Sequence, residues 1–316
     1  MVETFLMTLG EMSKILILLV IGYLFNKTHL ISRSAENVLS RFVAMLFIPA
    51  LTLYSNMMEC KLDSLGTYGI WVLVGMGFTA LTLFLSYPTA KLFTKDVYQQ
   101  GVYRYALTLP NTGAVGTPLV LALFGTAGMF RFGLFILGNS IMTYSWGIAQ
   151  LLPSHGKTTL WSNLKKLINP NFLAMVIGMI LGLLGAPNWM PQPISGLVWD
   201  LGRCYVPVAL LLTGFSLADY PFSAVFHNIK VYAYTLWRVI LMPVVYLSVL
   251  FIFDAPLELA SMLALTYASP CGMNVVIFPA AYDQDCQAGA SLVLVSSIVS
   301  IVSVPLIYSL VQVFFA

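Results

Sequence analysis

Charge is what this sequence has least of. Asp, Glu, Lys and Arg make up 9% of its 316 residues, against roughly 25% in soluble domains. With 59% hydrophobic residues and mean hydropathy +0.88, the chain carries more apolar side chain than a soluble core can hide, so lipid must be its solvent. The basic residues are scattered and the net charge is only +3, which excludes a nucleic-acid surface. Cysteine is sparse as well. Cys60, Cys204, Cys271 and Cys286 stand far apart with no CxxC or Cys/His spacing, so they read as free thiols and not as a metal site. The three histidines, His29, His155 and His227, fall in predicted loops, which leaves no histidine proton relay. No HExxH, no GxSxG and no paired aspartates occur within an apolar segment, so a membrane-embedded enzyme would lack its catalytic cluster. Asp283 and Asp285 come nearest, and they read as a solvated loop. No catalytic residue is assigned.

What the sequence has in abundance is long apolar runs. A helix crosses the hydrocarbon with about 20 mostly apolar residues. Ten segments qualify: 5–25, 38–58, 67–92, 102–124, 129–151, 171–187, 204–218, 229–252, 257–281 and 288–314. The first is too long for a signal-peptide core and has no small-x-small cleavage site after it, so it reads as a retained span. Between the sixth and seventh lies NWMPQPISGLVWDLGRC, which reads as a helix along the membrane surface. Assigning alternate connections to opposite sides collects Lys27, Arg33, Arg41, Lys91, Lys95, Arg104, Lys157, Lys165, Lys166 and Lys230 on one side. The other side has Lys61, Arg131 and Arg203. The richer side is cytoplasmic, which puts both termini outside and predicts a multi-pass protein of the cytoplasmic (inner) cell membrane.

The two halves, 1–158 and 159–316, resemble each other. FIPALTLYS around Pro49 pairs with YVPVALLLTG around Pro207, Pro88 with Pro243, and ALTLPNTG with ALTYASPCG, in the same order at offsets of 155 to 160 residues. Five spans per half is an odd number, so the second half enters the membrane from the opposite side. The predicted fold is thus an all-α membrane protein of ten spans in two inverted repeats. Inverted repeats of this kind place a binding site at the midplane between discontinuous helices.

The fourth and ninth segments are built to break. LPNTGAVGTPL packs Pro110, Pro118, Gly113 and Gly116 into eleven residues. Each proline lacks an N–H and clashes with the preceding turn, and glycine frees the backbone. Unsatisfied backbone groups at membrane depth cost several kcal/mol each, so irregular chain survives only inside protein or beside a wet cavity. Asn111, Thr112 and Thr117 help to satisfy it. Pro270, Cys271, Gly272 and Asn274 offer the same materials in the ninth segment. Two such breaks, crossing, would turn half-helix N-termini toward an anionic guest. Asn111, Thr112, Gly113, Pro270, Gly272 and Asn274 are the candidate binding residues, and Pro110, Gly116, Pro118 and Pro270 the helix breakers. No acidic residue falls in the middle of either break. That argues against strong coupling to sodium or protons, although Na+ held by carbonyls, Asn and Thr stays open.

These residues resemble the auxin efflux carrier family of membrane transporters, which includes bacterial carriers of malate, malonate and related organic acids. PNTGAVGTPL with Leu123-Phe124-Gly125 looks like that family's fourth span. Phe47-Ile48-Pro49-Ala50-Leu51 looks like the second, and Pro207 to Leu217 like the seventh. The resemblance implies a scaffold of spans 1, 2, 6 and 7 and a moving transport domain of spans 3–5 and 8–10, with the broken spans crossing in an X. It also implies a fold like that of bile-acid/sodium symporters, a homodimer through the scaffold, and a place for Asn139 beside the cavity. Val275 stands where plant members carry a second proline, and Asn274 is similar to bacterial members. A small mono- or dicarboxylate is therefore favoured over an auxin-like substrate.

Arg238 lies about ten residues into the eighth span, where an arginine is expensive and usually faces the bundle interior. It is a candidate for a substrate carboxylate. It can equally reach the cytoplasmic surface or hold a backbone carbonyl. Glu11 and Lys14, three apart on one helical face, read as a local ion pair. A channel built on broken helices would normally need oligomeric symmetry, whereas the repeat here is internal.

Overall fold

The computed structural model describes residues 2–151, 169–219, 229–280 and 284–315. Lys157, Lys165, Lys166, His155, His227 and Asp283 lie outside the described residues. Within them the regular structure is helical, and the extended pairing is a single antiparallel bridge between Pro110 and Cys271.

The first half comprises α1 (Val2–Lys27), α2 (Arg33–Glu59), α3 (Leu65–Phe93), α4 (Val97–Thr108), α5 (Thr117–Phe135) and α6 (137–151). The second comprises α7 (Pro170–Leu183), α8 (Gln192–Arg203), α9 (Tyr205–Leu217), α10 (Ile229–Ile252), α11 (Leu257–Tyr267), α12 (Asn274–Ala280) and α13 (Gln287–Phe314). Seven helical stretches among the described residues are long and apolar enough to cross a membrane, and α7 and α11 are shorter apolar helices. Polar starts are local. The Asp96 carboxylate caps α4 by accepting the Gln99 N–H at 2.7 Å, and Asn169 caps α7 by accepting the Phe172 N–H at 3.0 Å with Pro170 next in line. Both fit the N-terminal preference for short acceptor side chains, and Asn169 adds the proline favoured at the first helical position.

Three spans widen into π-helical turns at Val43–Phe47, Thr112–Gly116 and Trp237–Leu241, each ending two residues before a proline: Pro49, Pro118 and Pro243. The missing proline N–H leaves a carbonyl one turn back without its usual donor, and the wider turn relieves the ring's clash. Thr143–Gly147 is also π-helical; no proline follows it closely, and the cause lies elsewhere.

Glycines let helices touch. A Cβ on Gly22 would lie 2.0 Å from the Leu211 carbonyl oxygen, and one on Gly214 would lie 1.9 Å from that of Leu19, so the backbones of α1 and α9 are in contact. Gly178 and Gly182 of α7 face Leu53 and Cys60 of α2 in the same way. Small residues four apart are the usual means of close helix packing in lipid, where hydrophobicity alone does not drive association.

Two boundaries differ from the sequence expectation. The predicted surface helix does not lie apart from its neighbour. α8 runs through Cys204 (φ −67°, ψ −19°) into α9, and Gln192–Leu217 forms one membrane-length stretch. Pro191 and Pro193 start this helix and do not interrupt it. The fourth and fifth segments are joined without a loop. α5 continues past residue 124 and turns a corner at Gly125 (φ 61°, ψ −154°), a backbone state open essentially to glycine alone.

Candidate functional site

The two interrupted segments meet. The Asn111 N–H donates to the Pro270 oxygen at 2.8 Å, and the Gly272 N–H donates to the Leu109 oxygen at 3.0 Å. Gly272 permits this approach, since a Cβ there would stand 3.0 Å from the Leu109 oxygen. Several other backbone groups freed by the breaks also find partners. The Cys271 N–H donates to Ser296 Oγ at 3.0 Å, the Thr112 N–H to the Pro110 oxygen at 2.9 Å and the Ala114 N–H to Asn111 Oδ1 at 3.1 Å. Thr117 Oγ1 donates to the Thr112 oxygen at 3.1 Å. Pro110 and Pro270 have no N–H to satisfy. Irregular chain inside apolar segments is tolerated where its donors are paired inside protein, as these are.

Arg238 takes the carbonyls. Its Nε donates to the Ala106 oxygen at 2.5 Å, Nη1 to the Ser269 oxygen at 2.5 Å and Nη2 to the Pro270 oxygen at 3.1 Å. One fork therefore spans both breaks, from the end of α4 to the end of α11. Of the three roles that the sequence leaves open, the geometry selects the carbonyl holder. The fork donors named here are engaged by backbone, and Arg238 does not line the cavity described next.

That cavity, of about 310 Å³, lies between α1, α9, α13 and the breaks. Its walls are mostly aliphatic, with polar relief from Tyr23, Asn111, Thr213, Ser297 and Ser300, and neither a cation nor a carboxylate is among the lining residues. Asn111 is the polar side chain that the first break contributes to this lining. The Ala114 N–H fixes which end of its carboxamide is oxygen, and the remaining NH2 has no partner among the described residues. A second cavity, of about 540 Å³, opens toward the Glu11 end of α1 and is lined by Glu11, Lys14, Pro118, Trp199 and Arg203 among others. Ile15, 6% exposed, is the residue common to both linings. The Glu11–Lys14 ion pair is formed at 2.6 Å.

The structure brings some of the sequence-predicted residues together and not others. Asn111 and Pro270 line the smaller cavity. Pro110 and Gly272 sit directly behind them in the paired breaks. Thr112 and Gly113 begin the π turn, with Gly113 facing the Tyr205 hydroxyl, and Gly116 packs on the Phe132 ring. Pro118 lines the larger cavity. Asn274 opens α12 and does not line the smaller cavity. Asn139 is 5% exposed, and its Oδ1 accepts the Thr79 hydroxyl at 2.5 Å in a separate polar cluster. That cluster also holds Thr82 and Tyr246, whose hydroxyls are 2.7 Å apart. Thr213, Ser297 and Ser300 went unassigned in the sequence. Their signal is small hydroxyls at helical spacing inside apolar spans. Among the described residues, no group of three or more His, Cys, Asp or Glu side chains is placed to hold a metal ion.

Comparison with known proteins identifies a family. A family model described as "Membrane transport protein" matches residues 7–308. The chain is also similar to an uncharacterized transporter of Methanothermobacter thermautotrophicus, 23% identical over 295 residues that cover 92% of this chain and 94% of that one. The broken, paired segments and the near-complete match lead to one conclusion: the chain belongs to the membrane transport protein family, the auxin efflux carrier family whose motifs it carries.

Proposed function

We propose that this protein is a secondary transporter of small organic anions that works by alternating access across the cytoplasmic membrane. The observation that carries the reading is the neutral cavity at the junction of two broken helices, with the free amide end of Asn111 in its wall. About 310 Å³ is at the small end of ligand pockets. In this reading ten spans form two inverted five-span repeats, with both termini outside. The pairing of α1 with α9 and of α2 with α7 supports it, because exchanging the halves (span 1 with 6, span 2 with 7) converts one pair into the other. Spans 1, 2, 6 and 7 would stay as scaffold, in a dimer, while spans 3–5 and 8–10 shift against them.

The lining supports one part of the predicted class over another. Two carboxylates, as in malate or malonate, would both lose hydration against walls without a cation, whereas a monocarboxylate with a short apolar body matches them. No carboxylate lines the cavity to carry a proton or bind sodium, which favours uncoupled movement down the potential, worth about 2.3 kcal/mol per charge per 100 mV. The test is thermal-shift screening of the purified protein against mono- and dicarboxylates with and without sodium. Flux in proteoliposomes follows for each stabilising compound. Saturable, competitor-sensitive flux supports the carrier. Single-channel conductance, or stabilisation without flux, refutes it.

A further inference from the structure

Among the described residues Arg238 is the largest fully buried side chain, at 2% exposed. No Asp or Glu among the described residues pairs with it; the ion pairs found there join Lys14 to Glu11, Arg33 to Asp219 and Arg131 to Glu258. A guanidinium keeps its proton in proteins, and an intramembrane charge is costly enough to mark a functional place. The three carbonyls that receive its fork lower that cost but carry no net charge. The net positive charge is therefore met by backbone dipoles at two helix C-termini and by no carboxylate among the described residues.

Its position relates it to the cavity. Pro270 lines the cavity, and the Pro270 oxygen accepts both Arg238 Nη2 and the Asn111 N–H. The charge thus sits one peptide group behind the wall that carries Asn111. The same fork holds the oxygens of Ala106, Ser269 and Pro270, each of which would repel an anion if it faced the cavity. Apolar walls screen poorly, so the field of a charge a few ångströms away reaches the cavity with little loss.

Resting on the carrier reading, we infer that Arg238 is the counter-charge of the transported anion, acting through the paired backbone without touching the substrate. It is a positioning residue with an electrostatic reach. It gives a cavity with no cation in its lining its preference for a negative guest, and it discriminates carboxylates from neutral molecules of the same shape.

The test compares hexanoate with its neutral analogue hexanamide. Binding of each to the full-length detergent-purified protein is measured by isothermal titration for wild type, Arg238→Met and Arg238→Lys. Arg238→Met is expected to weaken hexanoate roughly tenfold or more while hexanamide moves less than about threefold. Arg238→Lys, which keeps the charge and loses the planar fork, is expected to restore the preference for hexanoate. Equal weakening of both probes in Arg238→Met would make Arg238 a structural brace alone and overturn the inference. An unchanged ratio of the two affinities would overturn it as well. Wild-type flux tests the carrier reading separately, so the two failures are distinguishable.

Discussion

Asn111→Ala removes two interactions that a second substitution separates. The first is the cap. Asn111 Oδ1 accepts the Ala114 N–H at 3.1 Å at the start of the π turn, and such caps are worth about 1 kcal/mol. The second is the free NH2 end in the cavity wall. A hydrogen bond from it to a carboxylate contributes about 1.5–3 kcal/mol, and at about 1.4 kcal/mol per factor of ten its loss weakens the anion about ten- to a hundredfold. Serine caps as well as asparagine does but has no amide to reach the guest. Asn111→Ser should therefore melt within about 2 °C of wild type and still lose most of its affinity, while Asn111→Ala loses both. The assay is counterflow of a labelled monocarboxylate in proteoliposomes, beside thermal unfolding in detergent. Wild-type kinetics in the serine variant would confine Asn111 to the cap and refute a binding role.

Four other outcomes follow from the same geometry. Pro118→Ala restores the N–H whose absence widens the Thr112–Gly116 turn, so the helix should tighten and turnover in the flux assay should slow severalfold; a wild-type rate would mean the bulge is not needed for movement. Gly214→Ala forces a Cβ against the Leu19 carbonyl and should destabilise the protein by about 1–3 kcal/mol, read as a lower melting temperature in detergent. The Glu11–Lys14 pair has a lysine side chain 70% exposed, so Lys14→Met should change stability by less than about 1 kcal/mol; a larger drop would show that the pair is not a simple surface contact. Arg203 lies in the larger cavity above the Trp199 ring at 5.9 Å and pairs with no carboxylate among the described residues. Arg203→Gln should raise KM at low salt and converge on wild type as ionic strength rises.

Much of the scaffold of this site is legible in the sequence because proline and glycine act locally. The breaks at Pro110 and Pro270 follow from residue type alone, and so does the need for partners to satisfy them. Which partner each group finds is a matter of tertiary distance. Arg238 has three physically sound readings until the carbonyls of Ala106, Ser269 and Pro270 are seen around its fork. Asn139 has the right chemistry for a cavity; its Oδ1 accepts the Thr79 hydroxyl, while its buried Nδ2 has no partner among the described residues. Ser297 and Ser300 hide within the 28 residues of α13, where mean hydropathy outweighs a few small hydroxyls. Asp200 and Arg203, with the prolines at 191 and 193, give α8 a polar, interrupted look that conceals its continuity with α9. Gly125 reads as a loop because residues 125–128 are GTAG, yet a single residue makes the corner.

Ile15 belongs to the walls of both hollows. At Ile15 the two hollows are therefore separated by one aliphatic side chain, and in the carrier reading its displacement would trade one opening for the other. Shortening it ought to spoil the valve while sparing the lock: Ile15→Ala should let small solutes seep through liposomes without saturation, even as the carboxylate still binds.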